Sequence, residues 1–191
     1  MKFRRAEMKD AGMLAEFMLL AMKDIVYKFI GKEDDKEALR FMTHFTAQEN
    51  NQYSFNNCWV VELSGDPVAV ANVYNGADLI SLRQPVLNYI AANYTELSSL
   101  EEETTAGEYY LDTIAVSPKA QGKGVGSKLL QSLISHFVAE KQAVLGLLVD
   151  DDNPNARKLY EKMGFQFVQA KKLVGKSLAH LQYHPDYLVK L

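Results

Sequence analysis

Tyr109-Tyr110-Leu111-Asp112-Thr113-Ile114-Ala115-Val116-Ser117-Pro118-Lys119-Ala120-Gln121-Gly122-Lys123-Gly124-Val125-Gly126-Ser127 is the stretch that decides the fold. Its first eight residues are mostly apolar, as in a strand buried on both faces, and Ser117-Pro118 breaks the run. From Gly124 onward, Val125, Leu129, Leu130, Leu133, Phe137 and Val138 recur at helical spacing. A strand that feeds a helix through a Gly-rich turn is half of an α/β unit. Glycines there allow positive φ and close approach of a ligand. Free N–H groups at the helix start, together with the helix dipole, favour a phosphate or pyrophosphate. Taken alone, Gly-x-Gly-x-Gly also fits a plain strand-to-helix turn. It is not a P-loop, because no Gly-Lys-Ser/Thr follows a four-residue spacer. Its spacing and its late position also disagree with a dinucleotide fingerprint.

Working outward, residues 144–149 read as a second apolar strand. Next comes Asn153-Pro154-Asn155-Ala156-Arg157-Lys158-Leu159-Tyr160-Glu161-Lys162-Met163-Gly164-Phe165. Asn153 suits a helix N-cap with Pro154 at the first helical position, and Gly164 suits a helix stop. Ala156, Leu159, Tyr160 and Met163 share one helix face. Tyr160 is therefore either core or a phenol presented to a cleft, where it could act as a general acid. Residues 165–170 and about 178–189 read as closing strands.

The first half shows a short edge-strand candidate at residues 2–6 and an N-cap candidate at Asp10. A helix carrying Leu14, Phe17, Met18, Ala21, Ile25 and Phe29 follows and stops at Gly31. A second helix from about Asp35 turns Ala38, Phe41, Met42 and Phe45 inward. Residues 50–57 are polar and loop-like. Residues 58–63 and 68–74, joined by Ser64-Gly65-Asp66-Pro67, form a hairpin. Residues 85–97 place Leu87, Ile90, Ala91, Tyr94 and Leu97 at helical spacing, and Glu101-Glu102-Glu103 follows. The whole is α/β in class, and residues 1–191 are read as a single domain.

Composition narrows the function. A net charge of -3 disfavours a nucleic-acid partner. Cys58 is the single cysteine, so no intramolecular disulfide can form, and no Cys/His spacing suits a metal. No apolar run is long enough to span a bilayer, and no signal peptide is evident. These features point to a cytoplasmic protein with no membrane partner.

The two motifs together resemble the GNAT N-acetyltransferases. That family's phosphate-binding motif, Gln/Arg-x-x-Gly-x-Gly/Ala, reads here as Gln121-Gly122-Lys123-Gly124-Val125-Gly126. Its second motif, Asn-x-x-Ala-x-x-Leu/Phe-Tyr-x-x-x-Gly-Phe, is matched by Asn153, Ala156, Leu159, Tyr160, Gly164 and Phe165. The resemblance covers roughly residues 108–170. It implies a mixed, mostly antiparallel sheet flanked by helices, with a V-shaped splay between the two central strands. It implies acetyl-CoA as co-substrate and no metal. Backbone N–H groups of residues 121–126 would cradle the pyrophosphate of CoA, with Ser127 adding a hydroxyl. Ile114, Ala115 and Val116 would run along the pantetheine arm, which Asn153 and Ala156 would also meet. Tyr160 would protonate the leaving thiolate.

The implied reaction is direct attack of a primary amine, carried by a small molecule or a peptide, on the thioester in a ternary complex. A non-catalytic acyl-CoA-binding or sensing domain is the alternative. The general base is expected at Glu108, which opens the central strand, with Asp112 as a second candidate. The insert at about residues 76–108 departs from the family pattern. It is either a wall of the acceptor groove or a solvated acidic loop. The aromatic C-terminal segment, residues 183–191, is available to a homodimer. His180 and His184 receive no role, and Cys58 is expected in the core.

Overall fold

The computed structural model describes residues 1–94, 100–173 and 175–190. Seven strands form one open sheet: β1 (Lys2–Arg5), β2 (Cys58–Leu63), β3 (Asp66–Asn75), β4 (Glu108–Val116), β5 (Val144–Asp150), β6 (Gln166–Leu173) and β7 (Lys176–Tyr183). Their spatial order is β1-β2-β3-β4-β5-β7-β6. All neighbours are antiparallel except β4 and β5, the pair joined by a helical crossover. The expected mixed, mostly antiparallel sheet is the one observed.

Helices cover both faces. On one, α1 (Ala11–Ile30), α2 (Asp35–Thr46) and α3 (Leu79–Asn93) share a core that includes Leu14, Met18, Phe41, Phe45, Val86 and Ile90. On the other, α4 (Val125–Leu133), its π-helical continuation Ile134–Glu140 and α5 (Pro154–Lys162) pack on Ala69, Ala71, Leu111, Leu145 and Leu147. Gly31 ends α1 at φ 70, and the Asp34 side chain caps α2 by accepting from the N–H groups of Lys36 and Glu37. Cys58 is buried, and burial pushes its thiol pKa up.

Several boundaries differ from expectation. Asp10 does not cap α1; its carboxylate takes the Glu7 N–H and the Arg4 guanidinium instead. α1 bends at Met22, where φ and ψ leave the helical region. α3 begins six residues before Pro85 and holds that proline inside. The exposed ring gives up only the bond that its nitrogen would have made to the previous turn. The inward face is therefore Leu79, Arg83, Val86 and Ile90, whereas Ala91 is exposed; Leu97 lies outside the described residues. Residues 51–54, expected as a polar loop, are buried: Asn51 Nδ2 donates to the carbonyls of Phe45 and Gln48, satisfying the end of α2. The second closing strand starts at Lys176 and ends at Tyr183, followed by a 3-10 turn, Pro185–Lys190. Tyr183 belongs to the core and packs on Phe165.

Candidate active site

The site is made by a failure of strand pairing. β4 and β5 pair only from Glu108↔Val144 to Leu111↔Leu147. Beyond that point they part. On its other edge β4 slips register against β3: Asn72 faces Thr113 and Val73 faces Leu111, so Asp112 is the extra, bulged residue. A bulge sharpens local twist and re-aims side chains. Its result here is a cavity of about 220 Å³ running through the sheet. Asn153, the N-cap of α5, and Ala156 and Tyr160 of α5 line it together with Asp112, Thr113 and Glu103.

The Gly-rich turn follows β4 and leads into α4. Pro118–Ala120 is a 3-10 turn, and Gly122 and Gly124 both adopt φ 74. No atom lies within 4 Å of the place a β-carbon would take on either glycine, so they serve conformation and leave open space beside the backbone. The first intrahelical bond of α4 runs from Lys128 N–H to Gly124 O. The preceding amides have no intrahelical acceptor, which makes them a donor set suited to a pyrophosphate. Gln121 Nε2 donates to the Val116 carbonyl at 3.3 Å. Ala115 turns its side chain into the α1/α2 core, whereas Ile114 and Val116 face α4 and Ile114 lines the cavity. Asn153 caps α5 through its Oδ1 and the Ala156 N–H at 3.2 Å.

Tyr160 is buried, and burial pushes its phenol up to about 12. Asp112 lines the same cavity. Burial first, then the neighbouring Glu103 carboxylate, hold Asp112 well above the usual carboxylate range, against the downward pull of Arg83 and of the Asn72 and Gln52 amides.

Glu108 is placed elsewhere. It is buried at the closed end of the β4/β5 pair and does not line the cavity. Its Oε2 accepts from His180 Nε2 at 2.9 Å and Gln182 Nε2 at 2.7 Å, and its Oε1 from the Thr105 N–H at 2.8 Å.

The segment between β3 and β4 supplies what sequence reasoning missed. Glu103 is not in a solvated loop: it is buried, with Oε1 2.6 Å from Arg83 Nη2 and 2.8 Å from Gln52 Nε2. Lys171 of β6 donates to the carbonyls of Glu103 and Thr104, fastening this segment to the sheet. The Glu101-Glu102-Glu103 run was visible in the sequence. Its partners Arg83 and Gln52 come from distant segments and leave no local signal. Among the described residues, no group of three or more His, Cys, Asp or Glu could hold a metal ion.

The molecule is a seven-stranded open sheet with a split central pair and a Gly-rich turn leading from β4 into α4. Residues 24–165 match the acetyltransferase (GNAT) family, and the chain belongs to that family. It is similar to a spermine/spermidine N(1)-acetyltransferase of Bacillus subtilis (strain 168), 36% identical over 77 residues. That match takes in 40% of this chain and 51% of the relative, so the chain spans about half the length of that curated protein. A solved acetyltransferase structure is 30% identical with a TM-score of 0.80, over 96% of this chain and 99% of that one. An aminoglycoside acetyltransferase solved in complex with coenzyme A shares the fold at 16% identity and a TM-score of 0.65, over 99% and 98% of the two chains.

Proposed function

We propose that this protein transfers an acetyl group from acetyl-CoA to a primary amine of a small molecule or peptide, by direct attack in a ternary complex. The observation that carries the reading is the cavity between the parted β4 and β5. Tyr160 and Asp112 both line it, and β4 runs on from it into the Gly-rich turn, whose helix-start amides have no intrahelical acceptor. The spermine/spermidine specificity of the Bacillus relative and the bound coenzyme A of the aminoglycoside enzyme support the two substrate classes.

Amides of residues 122–126 hold the pyrophosphate, the Gln121 N–H of the expected 121–126 set being taken by the Ser117 carbonyl at 3.1 Å, with the Ser127 hydroxyl beside them. The exposed edge of β4 at residues 114–116 guides the pantetheine arm past Asn153 and Ala156. Acetyl-CoA supplies the activated acyl group. Asp112 accepts a proton from the incoming ammonium, because only the neutral nitrogen can attack. As the C–N bond forms and the C–S bond breaks, Tyr160 gives its phenolic proton to the departing sulfur. It recovers a proton from the nitrogen, which has one to lose. A phenol with a pKa of about 12 is protonated at neutral pH and able to do this. Holding both reactants in one cleft removes much of the entropic barrier. Glu108, locked by its three donors, is assigned to holding β4, β5 and β7 together beneath the split.

The test is acetyl-CoA titration followed by thiol release over a panel of amines, with wild type and Asp112→Asn. Amine-dependent release that the substitution abolishes, at unchanged acetyl-CoA affinity, supports the reading. Full activity in Asp112→Asn removes Asp112 from it. Binding of acetyl-CoA with no turnover on any amine favours an acyl-CoA-sensing domain.

A further inference from the structure

The insert between β3 and β4 brings two charged groups to the bulge that nothing else in the fold would place there. Arg83 comes from the inward face of α3, and Glu103 from the segment leading into β4. Both are buried, and their charged atoms are 2.6 Å apart. Glu103 also accepts from Gln52 and lies 3.4 Å from the Tyr74 hydroxyl, so its carboxylate is fixed from three sides. Glu103 and Asp112 line the same 220 Å³ cavity and a smaller one beside it that reaches Tyr53 and Leu100. An ion pair this buried is weak evidence for stability, since desolvation offsets most of its attraction. Its position beside the reacting cavity gives it another use.

Resting on the function proposed above, we infer that the insert completes the proton-accepting site: Glu103, held by Arg83, is a positioning residue that sets how readily Asp112 takes a proton from the amine. A carboxylate with ordinary proton affinity is a poor partner for an ammonium, and a general base works best when its affinity is matched to the operating pH. Burial and the Glu103 charge raise that affinity, whereas Arg83 limits the rise. The Asp112 charge also acts on Tyr53 after α2, Cys58 of β2, Tyr74 of β3 and Tyr110 of β4, and Tyr160 of α5 lines the same cavity. All are neutral at pH 7, because burial pushes each of these phenols and the thiol up. Asp150, at the far end of the cavity, is paired with Lys176 at 2.7 Å. Glu103 and Arg83 therefore form the charged pair that governs Asp112.

Carboxyl NMR titration of the whole protein labelled at aspartate side chains, with the Asp112 signal assigned through Asp112→Asn, tests this without knowing the acceptor. In wild type, Asp112 should titrate above the ordinary aspartate range. Glu103→Gln should move it down, because a neighbouring like charge is removed. Arg83→Gln should move it up. The two opposite shifts also guard against one variant folding poorly. An Asp112 titration unmoved by either substitution overturns the inference, even if Asp112→Asn is inactive. An Asp112→Asn protein that still releases thiol, with both shifts seen, overturns the catalytic reading instead.

Discussion

Glu108 on β4 reaches His180 on β7 by lying across β5 at Gly146, and its Oε2 sits 2.9 Å from His180 Nε2. The absence of a side chain at Gly146 is what permits this, because a β-carbon there would occupy the place of the carboxylate. Gly146→Ala should therefore displace Glu108 from His180 and Gln182 and lower stability by about 1–3 kcal/mol, as overpacking a filled site does. Urea unfolding measures it, and an unchanged midpoint would mean that the contact is dispensable.

Asp112 should carry a stability penalty. A carboxylate whose folded-state pKa is raised binds its proton more tightly when folded. Its contribution turns unfavourable as pH rises from the unfolded value, about 3.9, through the raised one. Asp112→Asn should thus melt higher than wild type at pH 7, by about 2–4 °C for each kcal/mol released. The two proteins should converge at low pH. A lower melting temperature for the variant at pH 7 would place Asp112 in the structural framework.

Arg4 holds the Asp10 carboxyl below the usual carboxylate range, the guanidinium bond being the largest cause, and both side chains are mostly buried. The sign here is opposite. The stabilisation is complete above the unfolded value and is lost as pH falls through the lowered one. Asp10→Asn should lose about 1.5–3 kcal/mol at pH 7, the range for charge-assisted hydrogen bonds. That difference should shrink below about pH 4. A pH-independent difference would assign the loss to packing.

What the sequence made legible follows from how local each signal is. The β4–turn–α4 and α5 motifs carry their own spacing, and Gly124, Asn153 and Tyr160 stand at the turn, cap and helix face those spacings demanded. The splay implied by the family resemblance is present. Asp112 as the bulged residue was not readable, because a bulge depends on the register against β3. The Arg83–Glu103 pair joins positions 20 apart in the segment between β3 and β4, whose helix begins before its proline. Residues 51–54 look like loop by polarity and are buried because their amides meet α2 carbonyls and Glu103, partners set only by tertiary structure.

Gly124→Ala should weaken acetyl-CoA binding. The residue holds φ 74, which costs an alanine about 1–2 kcal/mol, so the turn would relax away from its open shape and affinity should fall about tenfold. Gly65→Ala, at φ 91 in the β2–β3 hairpin, is the control: similar strain, with affinity retained. Equal affinities in wild type and Gly124→Ala would dissociate the turn from ligand binding.

The most direct test of the central claim is single-turnover thiol release from acetyl-CoA by wild type and Tyr160→Phe across primary amines, with acetyl-CoA affinity measured on the same samples. Wild type should release thiol only with an amine present, and Tyr160→Phe should do so roughly 10²-fold or more slowly at equal affinity. Equal rates in the two proteins, or tight acetyl-CoA binding with no amine-dependent release, would contradict the claim.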